Sequence, residues 1–322
     1  MKNLLRKISI LFSILFNRYL LKKPDFSEKK IFLKGKQLED LNKQKNQISD
    51  FKEVEFSVFS QFGEDGIISW IIEKIPEIKK VFVEIGTQDY WESNTRFLLK
   101  SKNWKGYIID NSKKSINKIK TQRIYWQHNL KAIEFFVKKE NINLLIAKNI
   151  KEKNIGLLSI DIDGNDYWVL NEINGLSPAI IVCEFNSIFG DLHKISVPYD
   201  ENFDRNKAHF SNMYFGASIN AFITMLKKKG YKFLGTSSTG INAFFVNDEF
   251  KSYFDNCIGE NKIYPTLARE SLDISGKLTH EDIFKALDKI KNLEVFDFDE
   301  NKTKKITQYK NLYSKSWLNY FE

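Results

Sequence analysis

The sequence predicts an α/β fold built on a mostly parallel sheet. Three features predict it. Short β-branched runs recur from residue 54 onward, helical patterns separate them, and the runs end in glycine or in polar, often acidic, residues. The 322-residue chain is long enough for one such domain with extensions, and a 42% hydrophobic content with 27 Phe supplies its core. Two cysteines, Cys183 and Cys257, exclude a disulfide scaffold and a four-thiolate zinc site. The chain divides into a basic, partly amphipathic extension over 1–50, a sheet domain over 51–250 and a helical extension over 251–322.

Residues 1–50 hold 12 Lys or Arg against 5 Asp or Glu, most of the net charge of +9. The remainder is near neutral and only six of the 50 basic residues are Arg, so no nucleic-acid partner is expected. The apolar run Ile8–Phe16 is nine residues, well short of the roughly 20 that span a bilayer. Asn17-Arg18-Tyr19 follows it where a signal peptide needs small residues. Lys2, Arg6, Lys7, Arg18, Lys22 and Lys23 flank large apolar side chains, the pattern of a helix held at an anionic membrane surface. Residues 1–23 are therefore expected to give peripheral contact on the inner face of the cytoplasmic membrane; a helix packed on the domain or a disordered basic tail is the plainer alternative.

The expected strands are Val81–Ile85, Gly106–Asp110, a weaker Arg123–Trp126, Gly156–Ile162 and Ala179–Phe185. The expected helices between them are Asp65–Lys74, Ser93–Ser101, Ser115–Lys120, Ala132–Lys139 and Tyr167–Ile173. A helix over Ala217–Lys229 precedes Tyr231–Gly235 and Asn242–Val246, which a turn-forming segment joins as a hairpin. A seven-stranded, mostly parallel sheet closed by a late antiparallel hairpin is the Rossmann-like class I methyltransferase arrangement. Beyond it, Thr279 and Asp282 read as a helix cap ahead of Ile283, Phe284, Leu287 and Ile290.

Ligands of an open parallel sheet bind outside the carboxyl ends of its strands. The loop Glu84–Asn94 keeps one glycine, Gly86, and lacks the G-x-G-x-x-G run that a nicotinamide pyrophosphate needs. S-adenosylmethionine has no pyrophosphate, and Glu84 or Asp89 could face its ammonium; for Glu84 a buried acid held by backbone donors is the bland alternative. Asp110 ends the second strand, where an acid can accept both ribose hydroxyls. Asn129 or His128 is expected at the adenine edge. Alternation puts Asp161 and Asp163 on one side of their strand, where they raise each other's pKa or, with Glu184, hold a divalent cation. Alternatively Asp163 or Asn165 caps the next helix and only Asp161 faces the cofactor. The insert Ser187–Phe215 is expected to form a lid or acceptor pocket, with His193 and His209 as candidate bases beside Asp163.

These residues also carry a resemblance. Ser60-Gln61-Phe62-Gly63-Glu64-Asp65, Phe82-Val83-Glu84-Ile85-Gly86, Ser93-Asn94-Thr95, Trp104-Lys105-Gly106-Tyr107-Ile108-Ile109-Asp110 and Ile160-Asp161-Ile162-Asp163-Gly164 resemble the FkbM-type S-adenosylmethionine-dependent methyltransferases. Asp163-Gly164-Asn165-Asp166-Tyr167-Trp168, Cys183-Glu184-Phe185-Asn186-Ser187, Pro198-Tyr199-Asp200, Tyr214-Phe215-Gly216-Ala217-Ser218 and Asn242-Ala243-Phe244-Phe245-Val246 are similar to methyltransferases encoded in bacterial surface-polysaccharide clusters. The likeness runs over roughly residues 55–250. It implies that Glu84, Gly86, Asp89 and Asn94 line a cofactor site, that Asp110 holds the ribose and that Asp161 sits beside the sulfonium. It further implies O-methylation of a hydroxyl on a sugar, sugar nucleotide or lipid-linked glycan. The chain departs from the family at Ser159, often Lys, at Asp163 and Asp166, often Glu, and at Tyr90, often Gly. Two rival readings stand beside it: a non-catalytic protein of this fold that binds a glycan or partner at the membrane, and an NAD-dependent sugar dehydrogenase.

Overall fold

The computed structural model describes residues 26–322 apart from residue 268. The expected membrane-surface segment, residues 1–23, lies outside the described residues. No helix among those described is long and apolar enough to cross a membrane.

The central sheet has seven strands. They are β1 (Val81–Ile85), β2 (Lys105–Asp110), β3 (Leu130–Glu134), β4 (Asn154–Ile160), β5 (Ser177–Glu184), β6 (Tyr231–Thr236) and β7 (Asn242–Asn247). In space the order is β3-β2-β1-β4-β5-β7-β6. β1 to β5 run parallel, and β7 enters antiparallel between β5 and β6. This is the sheet of the class I methyltransferase fold, as the late hairpin predicts. The inner strands are near-continuous apolar runs because helices cover both faces. Val83, Ile85 and Ile109 point into one core, Phe82, Ile108 and Leu157 into the other.

Two expectations fail. Arg123–Gln127 is a helix; the third strand is Leu130–Glu134, which overlaps the start of the expected helix Ala132–Lys139, and the helix that follows is Ile142–Asn149. Propensity favoured Ile-Tyr-Trp as the strand, but Trp126 is 70% exposed and has nothing to pack on. Leu130 and Ala132 instead pair with Gly106 and Ile108 of β2 and bury their side chains. The second failure is the C-terminal extension, which is mixed rather than helical. Arg269–Leu272 and Leu278–Glu281 form a hairpin, while Glu294–Asp297 pairs with both Lys302–Lys305 and Ile195–Ser196. Alternation at Val295 and the turn at Asn301 (φ +52°) favour strands there. The expected helix survives as Ile283–Ile290, and Asp282 caps it through the N–H groups of Phe284 and Lys285. Thr279 lies outside this cap, in the hairpin opposite Ser271. Ile283, Ala286, Ile290, Val295 and Trp317 join the core that also holds Val83 and Ile181.

Candidate functional site

A cavity of about 740 Å³ opens at the carboxyl ends of β1, β2, β4 and β5 and the start of β7. Its two halves are built differently.

The half over β1 and β2 is closed by the chain's own hydrogen bonds. Gly86 turns the chain at φ +85°, and a Cβ there would lie 1.5 Å from the carbonyl oxygen of Asp161. Only glycine lets the loop cross the end of β4. Glu84 is buried: its Oε2 accepts from Ser93 Oγ at 2.6 Å and from Thr95 Oγ1, and its Oε1 accepts from the Asn94 N–H at 3.0 Å. Burial pushes its pKa up while those bonds pull it down. Glu84 thus pins the loop, close to its bland alternative, with hydroxyls as two of the donors. Asp110 Oδ2 accepts from the N–H groups of Thr87 (3.2 Å) and Gln88 (2.7 Å), and Oδ1 from Ser112 N–H (2.7 Å). Of a carboxylate's roughly four acceptor sites, one is left, room for one ribose hydroxyl rather than two. Asn94 lines the cavity and donates to Ser159 Oγ at 3.1 Å; Asp89 lines it and pairs with Lys118.

The adenine assignment fails with the third strand. Asn129 precedes β3, and its carbonyl accepts from Gly106 N–H at the amino ends of β2 and β3, opposite the cavity. His128 lies beside it, 3.3 Å from Asn103 Oδ1. The residues that follow β3 and do line the cavity are Phe135, Phe136 and Val137.

The half over β4, β5 and β7 is acidic and less complete. β4 ends at Ile160, so alternation no longer governs the two acids beyond it. Asp161 is half-buried at the cavity wall. Asp163 stands in a left-handed turn (φ +58°), 52% exposed in its side chain, and pairs with Arg205. Asn165 occupies the helix N-cap position without a capping bond; Asp166 ties the turn instead, accepting from the N–H groups of Ile162 (2.7 Å) and Gly164 (2.9 Å). Burial and the charge of Glu184 push Asp166 up to about 7 against those bonds. Burial, then Glu184 and Asp163, hold Asp161 well above the carboxylate range, with Arg269 opposing.

Glu184 accepts from Arg269 Nη2 at 2.6 Å through Oε1. The guanidiniums of Arg205 and Arg269 lie 3.8 and 4.9 Å from the ring of Phe215. Single oxygens of Asp161, Asp163 and Glu184 come within 4.8 Å of one another, the cluster expected for a cation. Two guanidiniums of the same chain already compensate that cluster, which leaves the cation expectation without support. Neither expected histidine lines the cavity. His193 packs on Tyr309 with Nε2 2.8 Å from the Asn311 carbonyl, and His209 Nδ1 is 2.7 Å from Ser211 Oγ. Sequence reasoning assigned no role to Arg205, Asn242 or Arg269, which reach the cavity from the insert, β7 and the C-terminal hairpin.

No family model matches the chain, and no curated protein matches it. Among solved structures, an O-methyltransferase from Bacillus cereus in complex with SAH is 11% identical, with a TM-score of 0.38 over 72% of this chain and 94% of that one. The N-terminal domain of EvdMO1 with SAH bound is 11% identical, with a TM-score of 0.38 over 68% and 94%. A SAM-dependent methyltransferase from Aquifex aeolicus is 10% identical, with a TM-score of 0.35 over 64% and 97%.

Proposed function

We propose that the chain is an S-adenosylmethionine-dependent O-methyltransferase of the FkbM type. Its acceptor is a hydroxyl of a sugar, sugar nucleotide or lipid-linked glycan in surface-polysaccharide biosynthesis. One observation carries the reading: the cavity sits at the tips of β1, β2 and β4 of a sheet with the class I strand order, walled by a one-glycine loop and an acid ending β2. The donor set fits the cofactor. Asp110 keeps one acceptor site for a ribose hydroxyl, and Thr87 Oγ1 is buried there without a partner among the described residues. Gly86, Asp89 and Asn94 form the wall beside them. Bound there, S-adenosylmethionine supplies an electrophilic methyl group on a positively charged sulfur.

The chain's own residues have two tasks, to align the acceptor oxygen and to take its proton. No histidine lines the cavity among the described residues, so a carboxylate takes the proton. Asp161 is the better choice, because its surroundings raise its proton affinity and Asp163 is committed to Arg205. Calorimetry should detect S-adenosylmethionine binding, weakened about tenfold or more by Asp110→Ala; unchanged affinity rejects the ribose role. In a thermal-shift panel the same ligand, and neither NAD nor NADP, should raise the melting temperature. Removal of residues 1–23 should move the protein from the pellet to the supernatant with anionic liposomes, and equal pelleting rejects the membrane contact.

A further inference from the structure

Three buried oxygens on the cavity wall have no partner among the described residues: Oδ1 of Asn165, Oε2 of Glu184 and Oδ1 of Asn242. Their residues are 7%, 3% and 5% exposed. The orientation of both amides is fixed by what their nitrogens meet. Asn242 Nδ2 donates to Glu64 Oε1 at 3.0 Å, and Asn165 Nδ2 donates to the Asp200 carbonyl at 2.7 Å. Both partners accept here, so flipping either amide would set oxygen against oxygen. At these three atoms the residues lining the wall offer acceptors and no donor, beside the Arg269 guanidinium already held by Glu184 Oε1, and a buried acceptor left unmade costs about 1–3 kcal/mol. Glu184 and Asn242 are directly opposed in the β5–β7 register, so their side chains leave the same face of the sheet. Charge points the same way. Seven carboxylates line the cavity against the two guanidiniums of Arg205 and Arg269.

We propose that this wall is a subsite for the acceptor and that the acceptor is an amino sugar, whose free ammonium rests on Glu184 and Asn242 while a hydroxyl of the same unit meets Asn165. An ammonium carries three donors and no acceptor, whereas a hydroxyl brings lone pairs that need donors in turn. This proposal rests on the methyl-transfer reading, but its test does not need turnover. Calorimetry on the full chain compares the methyl glycosides of glucosamine, galactosamine and mannosamine with their N-acetyl and 2-hydroxyl counterparts. At least one amine should bind about tenfold or more tightly than both counterparts, and raising the pH through the amine's own pKa should remove the advantage. Glu184→Gln should remove most of it, with thermal melting as the folding control. Saturating S-adenosylhomocysteine should leave amine binding in place. Equal affinities, no binding of any glycoside, or competition by S-adenosylhomocysteine overturns the amino-sugar subsite. Amine binding without binding of S-adenosylmethionine keeps the subsite and defeats the methyltransferase reading.

Discussion

The two halves of the cavity treat the carboxylates that line them in opposite ways. Over β1 and β2, Glu84 and Asp110 spend nearly all their acceptor capacity on the loops that follow these two strands. Over β4, β5 and β7, Glu184 leaves an oxygen unmatched and Asp161 holds its proton tightly. A satisfied acid is part of the scaffold; an unsatisfied one waits for a ligand or a proton. The difference assigns rigidity to the first half and chemistry to the second.

The largest expected effect tests that division at Asp161. Asp161→Asn keeps the shape and removes the base, so kcat should fall by roughly 10²–10⁴-fold. Activity of the unaltered chain should rise with pH through a range above that of ordinary carboxylates, and the variant should lose that limb. A variant with near-normal kcat and the same pH profile would move the base elsewhere and break the comparison.

A second test reads stability against pH. Asp166 titrates near 7 in the folded chain against an ordinary value of 3.8, and Asp65, buried under the N–H groups of Val58, Phe59 and Ser60, does the same. Between these limits the folded state keeps protons that the unfolded state has shed. Their contribution is complete below pH about 4 and is lost as the pH climbs to about 7, on the order of a few kcal/mol each. Melting temperature should fall across that window, and Asp166→Asn should flatten the slope. An unchanged slope would show that Asp166 is already ionised at the low end.

The first half was the legible one. Gly86 follows β1 directly and Asp110 ends β2, and position plus residue type is enough to place them. The third strand was misplaced because Ile124-Tyr125-Trp126 has strand propensity, while Leu130 and Ala132 won the pairing with β2. That slip set Asn129 after the strand, whereas it lies at the amino end, away from the cavity. The second half was read only in its acids. Arg205 and Arg269 converge on Phe215 from segments 64 residues apart, Arg269 lying in a hairpin that read as helix. No local period records such a meeting. The histidines misled for the opposite reason: their type suits a base, but their hydrogen-bond partners hold His193 and His209 outside the cavity.

The smallest expected effect sets one glutamate against the other. Glu84 accepts from three donors, and glutamine offers a single oxygen and a donating amide in its place. At least one buried donor loses its partner in Glu84→Gln, a cost of about 1–3 kcal/mol that should appear as a lower melting temperature. Glu184→Gln keeps an acceptor for Arg269, removes the charge that lifts Asp161 and Asp166, and puts an amide where an oxygen had no partner. Relief of the repulsion on Asp161 and Asp166 offsets the counter-charge that Arg269 loses, so the stability of this variant should stay within about 1 kcal/mol of the unaltered chain near neutral pH. Melting curves of the two variants at one pH decide the matter. If Glu184→Gln melts lower than Glu84→Gln, the second half is held together by its acid, and the contrast between scaffold and chemistry fails.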